Sequence, residues 1–193
     1  MWLLKHPHFK AEKVHCIGFS LGAHVCGGIA KQNNLIFGRI SALDPAGPGF
    51  DGKNDTRSRL DKTDALVVDV LHTSSVGVQY PIGHKDFFVN DGKNQPGCWF
   101  RQGSIISGII DDVIDVFGCS HTRAALLYAE TILNRKKCQF KACSCPSLEL
   151  FNQGHCRSCK LDEIQLLGYN SIKLKRNGVF YLRTSAEPPF CFN

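Results

Sequence analysis

No stretch of this 193-residue chain is apolar enough to act as a secretory signal or to span a membrane. The opening "MWLLKHPHFKAEK" reaches Lys5 after a start too short for the apolar region of either. Low-complexity segments and internal repeats are also missing. The composition, 43% hydrophobic and 21% charged, excludes the collagen-like, disordered and repeat-array classes. Net charge is +6, yet the basic residues are scattered apart from short runs at 135–137 and 173–176. Without a basic face or a recognisable module, a nucleic-acid partner is not expected. Weak attraction to anionic membrane surfaces is the use that fits such a charge. The two regular Cys-x-x-Cys pairs that zinc modules usually show are missing too, for the chain has one.

What the chain does have is ten cysteines. Six of them (Cys138, Cys143, Cys145, Cys156, Cys159 and Cys191) crowd the last third, where apolar periodicity is poor. A disulfide-stapled tail in a secreted protein is the preferred reading. Its rival is a zinc site, because Cys156-x-x-Cys159, Cys143-x-Cys145 and the adjacent His155 have ligand-like spacings. Without a signal, secretion requires that the true N-terminus lie upstream; otherwise the chain is cytosolic.

The length suits one core with an appendage. After a connector over 7–12, residues 14–18 read as a short buried strand and 21–30 as a helix of small residues. A second apolar run over 37–43 is stopped by Asp44-Pro45 and "PAGPGFDG". Valine-rich 65–72 is a third run and 83–89 a fourth, and a helix is expected from Cys119 to about Asn134. Strand and helix in this alternation predict an α/β layer with a parallel sheet.

Between the first strand and its helix lies "GFSLG". Gly-x-Ser-x-Gly in that context is the pattern of a nucleophile elbow, where a tight turn strains the serine and flanking side chains would clash. Gly18 and Gly22 meet that demand, Ser20 is the candidate nucleophile, and the Leu21 N–H is placed to receive an oxyanion. A structural turn is the alternative. Such a serine needs a base and an orienting carboxylate. Asp44, at the end of "RISALD", fits the acid, and His121 in "CSHTRA" fits the base. His24, His72 and His84 compete for one role and Asp64, Asp69 and Asp86 for the other, so spacing alone leaves both assignments open.

Five ordered blocks, "GFSLGAHVCG", "ISALDPAGPGF", "RLDKTDALVVDVLHT", "PIGHKDFFVNDGKNQPGC" and "CSHTRA", resemble the animal lipase family that includes pancreatic lipase, lipoprotein lipase and the arthropod phospholipases A1. The tail, with Phe180-Tyr181 and "PPFCFN", is similar to that of the insect phospholipases A1. The resemblance implies an α/β-hydrolase fold and a triad of Ser20, Asp44 and His121. It implies partial catalytic-domain sequence over 1–137, completed by the cysteine-rich segment 138–193. By the same resemblance this is the C-terminal portion of the parallel-sheet domain. The early loop with a second oxyanion donor would then lie before Met1, and the family's separate β-sandwich is not expected.

Two further readings rest on that resemblance. Ile105, Ile106, Ile109, Ile110, Val113, Ile114 and Phe117 build one helix face opposite Asp111, Asp112 and Asp115. Bracketed by Cys98 and Cys119, this segment is expected to be a disulfide-closed lid that turns its apolar face to lipid. A lid of this size leans towards triacylglycerol lipases, whereas the short "TSSVGVQYPIG" leans towards phospholipases A1. Asp61, Asp64 and the Arg59 carbonyl, with Asp55 in place of a missing family carboxylate, form a possible structural calcium site, with an ordinary solvated loop as the alternative. The overall expectation is a secreted serine hydrolase of glycerolipid esters that works on phospholipid or triglyceride at a membrane or lipid-droplet interface. Phospholipase A1 stands first and triacylglycerol lipase second, with a non-catalytic lipid-binding product as the alternative of another class.

Overall fold

The computed structural model describes residues 8–52, 56–98, 109–134, 136–156, 159–173 and 176–192. Seven strands form one sheet: β1 (His15–Phe19), β2 (Phe37–Leu43), β3 (Ala65–His72), β4 (Lys85–Val89), β5 (Lys141–Ser144), β6 (Ile164–Leu166) and β7 (Gly178–Leu182). Their order across the sheet is β1-β2-β3-β4-β7-β5-β6. The run from β1 through β7 is parallel, and β5 lies antiparallel to both β7 and β6. Helices α1 (Leu21–Gln32) and α2 (Ile109–Leu133) join α3 (Leu148–Asn152). None of the described helices is both long and apolar enough to cross a membrane.

Successive residues of a strand face opposite sides, and the two faces pack against different helices. Ile40, Ala42, Val68 and Val70 pack with Ala23, Cys26 and Ala30 of α1. Leu43, Leu71, Phe87 and Phe180 pack with Ala124, Leu127 and Tyr128 of α2. Strands covered on both faces read as mainly apolar runs, which explains why β2 and β3 stand out in the sequence despite Arg39, Ser41 and Asp69. The cysteine-rich tail extends this sheet rather than forming a separate unit. Its β7 inserts between β4 and β5, and Phe180 is 1% exposed in the common core.

Beneath the sheet, on the α2 side, a buried ion pair joins neighbouring strands. Arg39 donates from Nε and Nη2 to the two carboxylate oxygens of Asp69 at 2.7 and 2.9 Å. Its remaining donors reach Gly168 O, Tyr169 O and Ser171 Oγ at 2.7, 3.0 and 2.8 Å. Such a pair holds its geometry because nearly every donor is satisfied, and it ties the tail to β2.

All ten cysteines pair, as Cys16–Cys26, Cys98–Cys119, Cys138–Cys191, Cys143–Cys159 and Cys145–Cys156. The zinc alternative is therefore corrected: both short-spaced pairs are spent in nested disulfides, leaving no thiolate to ligate a metal. Cys16–Cys26, which sequence reasoning missed, staples β1 to α1 on either side of Ser20. A loop this short contributes about 3 kcal/mol by the chain-entropy estimate.

Two local expectations are also corrected. The second helix does not begin at Cys119 but runs unbroken from Ile109, so the Cys98–Cys119 bridge grips it mid-length. Gly118 does not stop it, since an interior glycine costs a helix only about 1 kcal/mol. At the elbow, a Cβ on Gly18 would collide with the Gly22 carbonyl and the Ala23 Cα, whereas one on Gly22 would meet nothing. Only the first glycine answers a steric demand there.

Candidate active site

Strand register brings the sequence-predicted site residues together. Phe19 pairs with Leu43 and Leu43 with Leu71, so the segments after β1, β2 and β3 emerge side by side at one edge of the parallel sheet. The turns are held by Ser20 N donating to Leu43 O at 2.9 Å and Asp44 N donating to Leu71 O at 2.8 Å. Ser20 lies at φ 55°, ψ −122°, a left-handed backbone that a non-glycine residue adopts only under constraint. It stands immediately before α1 and makes no side-chain cap hydrogen bond to that helix. Its half-buried hydroxyl is thus not spent on capping. Leu21, the first residue of α1, carries one of the N–H groups that a helix leaves without an intrahelical acceptor.

His121 projects from the middle of α2, and its Nδ1–H donates to Asp44 Oδ2 at 2.6 Å. That bond leaves Nε2 as the basic nitrogen of the neutral ring. The Phe19 ring, from the residue before Ser20, lies 4.5 Å from the imidazole, which fixes the elbow next to the histidine. Asp44 is fully buried and has φ 46°. Its carboxylate accepts from Thr73 N at 2.8 Å, from Ser74 N at 3.2 Å and from the Ser74 hydroxyl. Three donors besides the imidazole hold it in one orientation.

Sequence reasoning missed these supports. Ser74 sits 3.4 Å from His121 Nδ1 as well as on the carboxylate. A Cβ at Gly77 would come within 2.5 Å of Asp44 Oδ1. The buried Gln95 donates from Nε2 to Thr73 O at 2.9 Å and from its backbone N–H to the Ser120 hydroxyl oxygen at 3.1 Å, linking the Asp44 loop to α2 beside His121. The available signal was "HTSS" directly after the third strand, a cluster of small hydroxyl residues at the sheet edge where the acid also ends.

The competing residues have other partners. His72 is fully buried, with Nε2 2.9 Å from Asp86 and Nδ1 2.8 Å from Val78 O. No substrate reaches it, whereas the His121 side chain is 16% exposed. Asp69 is committed to Arg39, and Asp64 receives Lys31 Nζ. His24 Nδ1 accepts from Leu60 N at 3.0 Å, its Nε2 donates to Ala46 O at 2.9 Å, and it stacks on Phe50. His84 Nδ1 accepts from Val68 N at 3.1 Å.

Burial pushes the imidazoles of His15, His24 and His84 below their ordinary value; for His15, Arg39 adds to the effect. The folded chain therefore binds fewer protons than the unfolded one just below pH 6.5, and the stability they confer is present above about 6.5 and lost as pH falls through the folded values. Thermal unfolding between pH 7.5 and 5.5 is expected to show a melting temperature that falls with acidification. His24→Gln, which keeps a polar side chain without a proton to gain, reduces that fall.

Of the possible calcium donors, Asp55 lies outside the described residues. The Arg59 carbonyl and the Asp64 carboxylate converge, but on Lys31 Nζ, at 2.8 and 2.5 Å. The Asp61 carboxylate accepts from Thr63 N and Oγ1, both at 3.0 Å, within its own turn. Among the described residues no three His, Cys, Asp or Glu side chains gather as a metal cluster would require. In the expected lid, residues 99–108 and the side chains of 109–117 lie outside the described residues; the Cys98–Cys119 bridge that closes it is formed.

The Lipase family model matches residues 1–190 of this chain. A protein of Crotalus adamanteus named as an endothelial lipase is 40% identical over 200 residues, covering 98% of this chain and 39% of that protein. The lipoprotein lipase of Homo sapiens is 38% identical over 202 residues, covering 98% and 42%, and that of Bos taurus 36% over 200 residues, covering 98% and 41%. The chain thus spans about two fifths of the length of these relatives. A serine at a strained strand-to-helix turn, an Asp–His pair at the same sheet edge and a family match across nearly all of the sequence lead to one conclusion: the chain belongs to the animal, pancreatic-type lipase family and has its α/β-hydrolase fold.

Proposed function

We propose that this chain carries the nucleophile, base and acid of a glycerolipid carboxylic ester hydrolase, with phospholipase A1 activity as its first specificity. The observation that carries this reading is the 2.6 Å His121–Asp44 hydrogen bond beside the strained Ser20 turn. Ser20 Oγ attacks the acyl carbonyl while its proton passes to His121 Nε2. The new oxyanion is met by the Leu21 N–H, and Asp44 stabilises the imidazolium through Nδ1–H. Collapse of the tetrahedral intermediate breaks the ester C–O bond, with the Nε2 proton going to the departing alcohol oxygen. Water, deprotonated by His121, then attacks the acyl-enzyme, releasing the fatty acid and restoring Ser20 Oγ–H.

Triacylglycerol hydrolysis is the second reading, favoured by the length of the disulfide-bounded segment between Cys98 and Cys119. The short connection from His72 to His84 favours the phospholipid. Five disulfides among the described cysteines suit an oxidising compartment, so we place the protein outside the cell. The substrate is then met at a membrane or lipid-droplet surface. Release of fatty acid from phosphatidylcholine vesicles and from triolein emulsion, compared for the protein and its Ser20→Ala variant, separates the readings. Ser20-dependent cleavage of phosphatidylcholine is expected. Cleavage of triolein alone replaces phospholipase A1 with the lipase reading, and lipid binding without Ser20-dependent release of either acid replaces both with the non-catalytic one.

A further inference from the structure

One face of α1 holds the 59–64 segment at three successive turns of the helix. His24 accepts from Leu60 N. Three residues on, Gly27 lets the segment approach so closely that a Cβ there would lie 2.5 Å from Asp64 Oδ2 and 3.2 Å from the Leu60 Cα. Four residues further, Lys31 Nζ donates to Arg59 O and Asp64 Oδ2 at 2.8 and 2.5 Å. Spacings of three and four place these residues on a single helix face. The Asp64 carboxylate is 2% exposed and also accepts from Asp61 N at 2.9 Å; burial pushes its pKa up, and the hydrogen bonds from Lys31 and Asp61 N oppose that shift.

The two converging donors, a backbone carbonyl and a buried carboxylate, are the oxygen types that a hard cation such as calcium takes. Here the cation is already part of the chain. We infer that Lys31 is the resident cation of this site: its ammonium occupies the position between Arg59 O and Asp64 that a calcium ion would otherwise fill, and holds the 59–64 segment against α1 without metal. The described donors do not fit calcium in this arrangement, because the third of them, the Asp61 carboxylate, is turned into its own capping turn and the ammonium fills the space between the other two groups. Two like-signed cations 3 Å apart would repel strongly in a half-buried site.

The test uses the intact disulfide-bonded protein and reads its melting temperature in excess EDTA and in millimolar calcium chloride. The wild type is expected to melt at the same temperature in both. Lys31→Met, which keeps the stem and removes the charge, should melt lower in EDTA by roughly 5 °C or more, because the buried Asp64 loses its partner. Lys31→Arg should restore most of that loss. A wild-type melting temperature that falls in EDTA and recovers with calcium overturns the inference without any variant, as does a Lys31→Met protein as stable as the wild type in EDTA. These readouts do not depend on ester hydrolysis, so their failure is distinct from failure of the proposed function.

Discussion

Ser20→Ala is expected to lower kcat for ester hydrolysis by about 10⁶-fold, the loss seen when the nucleophile of a serine triad is deleted. The effect should fall on kcat and leave the melting temperature nearly unchanged. Ser20 Oγ makes no capping bond to α1, and the turn is held by backbone bonds from Ser20 N to Leu43 O and from Ala23 N to Ser20 O, at 2.9 and 3.1 Å, which alanine preserves. A variant that lost activity by unfolding would lose both. Residual hydrolysis in this variant would come from water activated by the retained His121–Asp44 pair, because His72, the other carboxylate-paired histidine among the described residues, is buried out of reach of substrate.

Asp44→Asn should cost about 10⁴-fold in kcat, because the amide keeps the shape but reverses the hydrogen-bond logic. Asp44 accepts from four donors: His121 Nδ1–H, Thr73 N–H, Ser74 N–H and the Ser74 hydroxyl. An amide oxygen turned to Thr73 and Ser74 presents its NH₂ to His121, so the ring must protonate Nε2 instead of Nδ1, and the base is lost. Turned the other way, the amide faces backbone N–H groups with donors. KM is expected to change little, since nothing here touches the acyl chain. Because nucleophile, base and acid act as a unit, the Ser20→Ala/Asp44→Asn double variant should be no slower than Ser20→Ala alone.

Much of this site was legible before any coordinates, and for identifiable reasons. β2 and β3 are covered on both faces, so they appear as mainly apolar runs, interrupted inside the sheet by the mutually bonded Arg39, Ser41 and Asp69. The turn that follows β2 announces Asp44 with Asp-Pro and glycines. What stayed hidden depends on pairings between distant segments. Cys16 and Cys26 sit in apolar surroundings where a cysteine passes for a small core residue; only the packing of α1 on β1 brings them within bonding distance. β7 is short and its burial comes from β4 and β5 on either side, so "GVFYL" carries little periodic signal of its own. Likewise, Ser74 bonds Asp44 directly, and Gln95 ties the neighbouring Thr73 to Ser120 of α2. Their roles follow from the register of β3 against β2 and from the grip of Cys98 on α2.

The resemblance points to His121 over three other histidines and to Asp44 over three other aspartates, a choice that spacing leaves open. In the structure the competitors have other partners. Asp69, Asp86 and Asp64 each pair with a specific partner, namely Arg39, His72 and Lys31. His24, His72 and His84 each have a ring nitrogen engaged by backbone. Removing these residues from contention leaves an Asp–His pair whose imidazole remains partly exposed beside the elbow.

The central claim is that Ser20 is an activated nucleophile in this chain. Reaction with a fluorophosphonate ester, followed by peptide mass mapping, tests it most directly, because such reagents form a stable phosphonyl adduct with a hydroxyl only when a neighbouring base removes its proton. One adduct per chain, on the peptide carrying Ser20 and lost in His121→Ala, is the predicted result. No adduct on the folded wild-type protein, or an adduct on Ser20 that persists undiminished in His121→Ala, would contradict it.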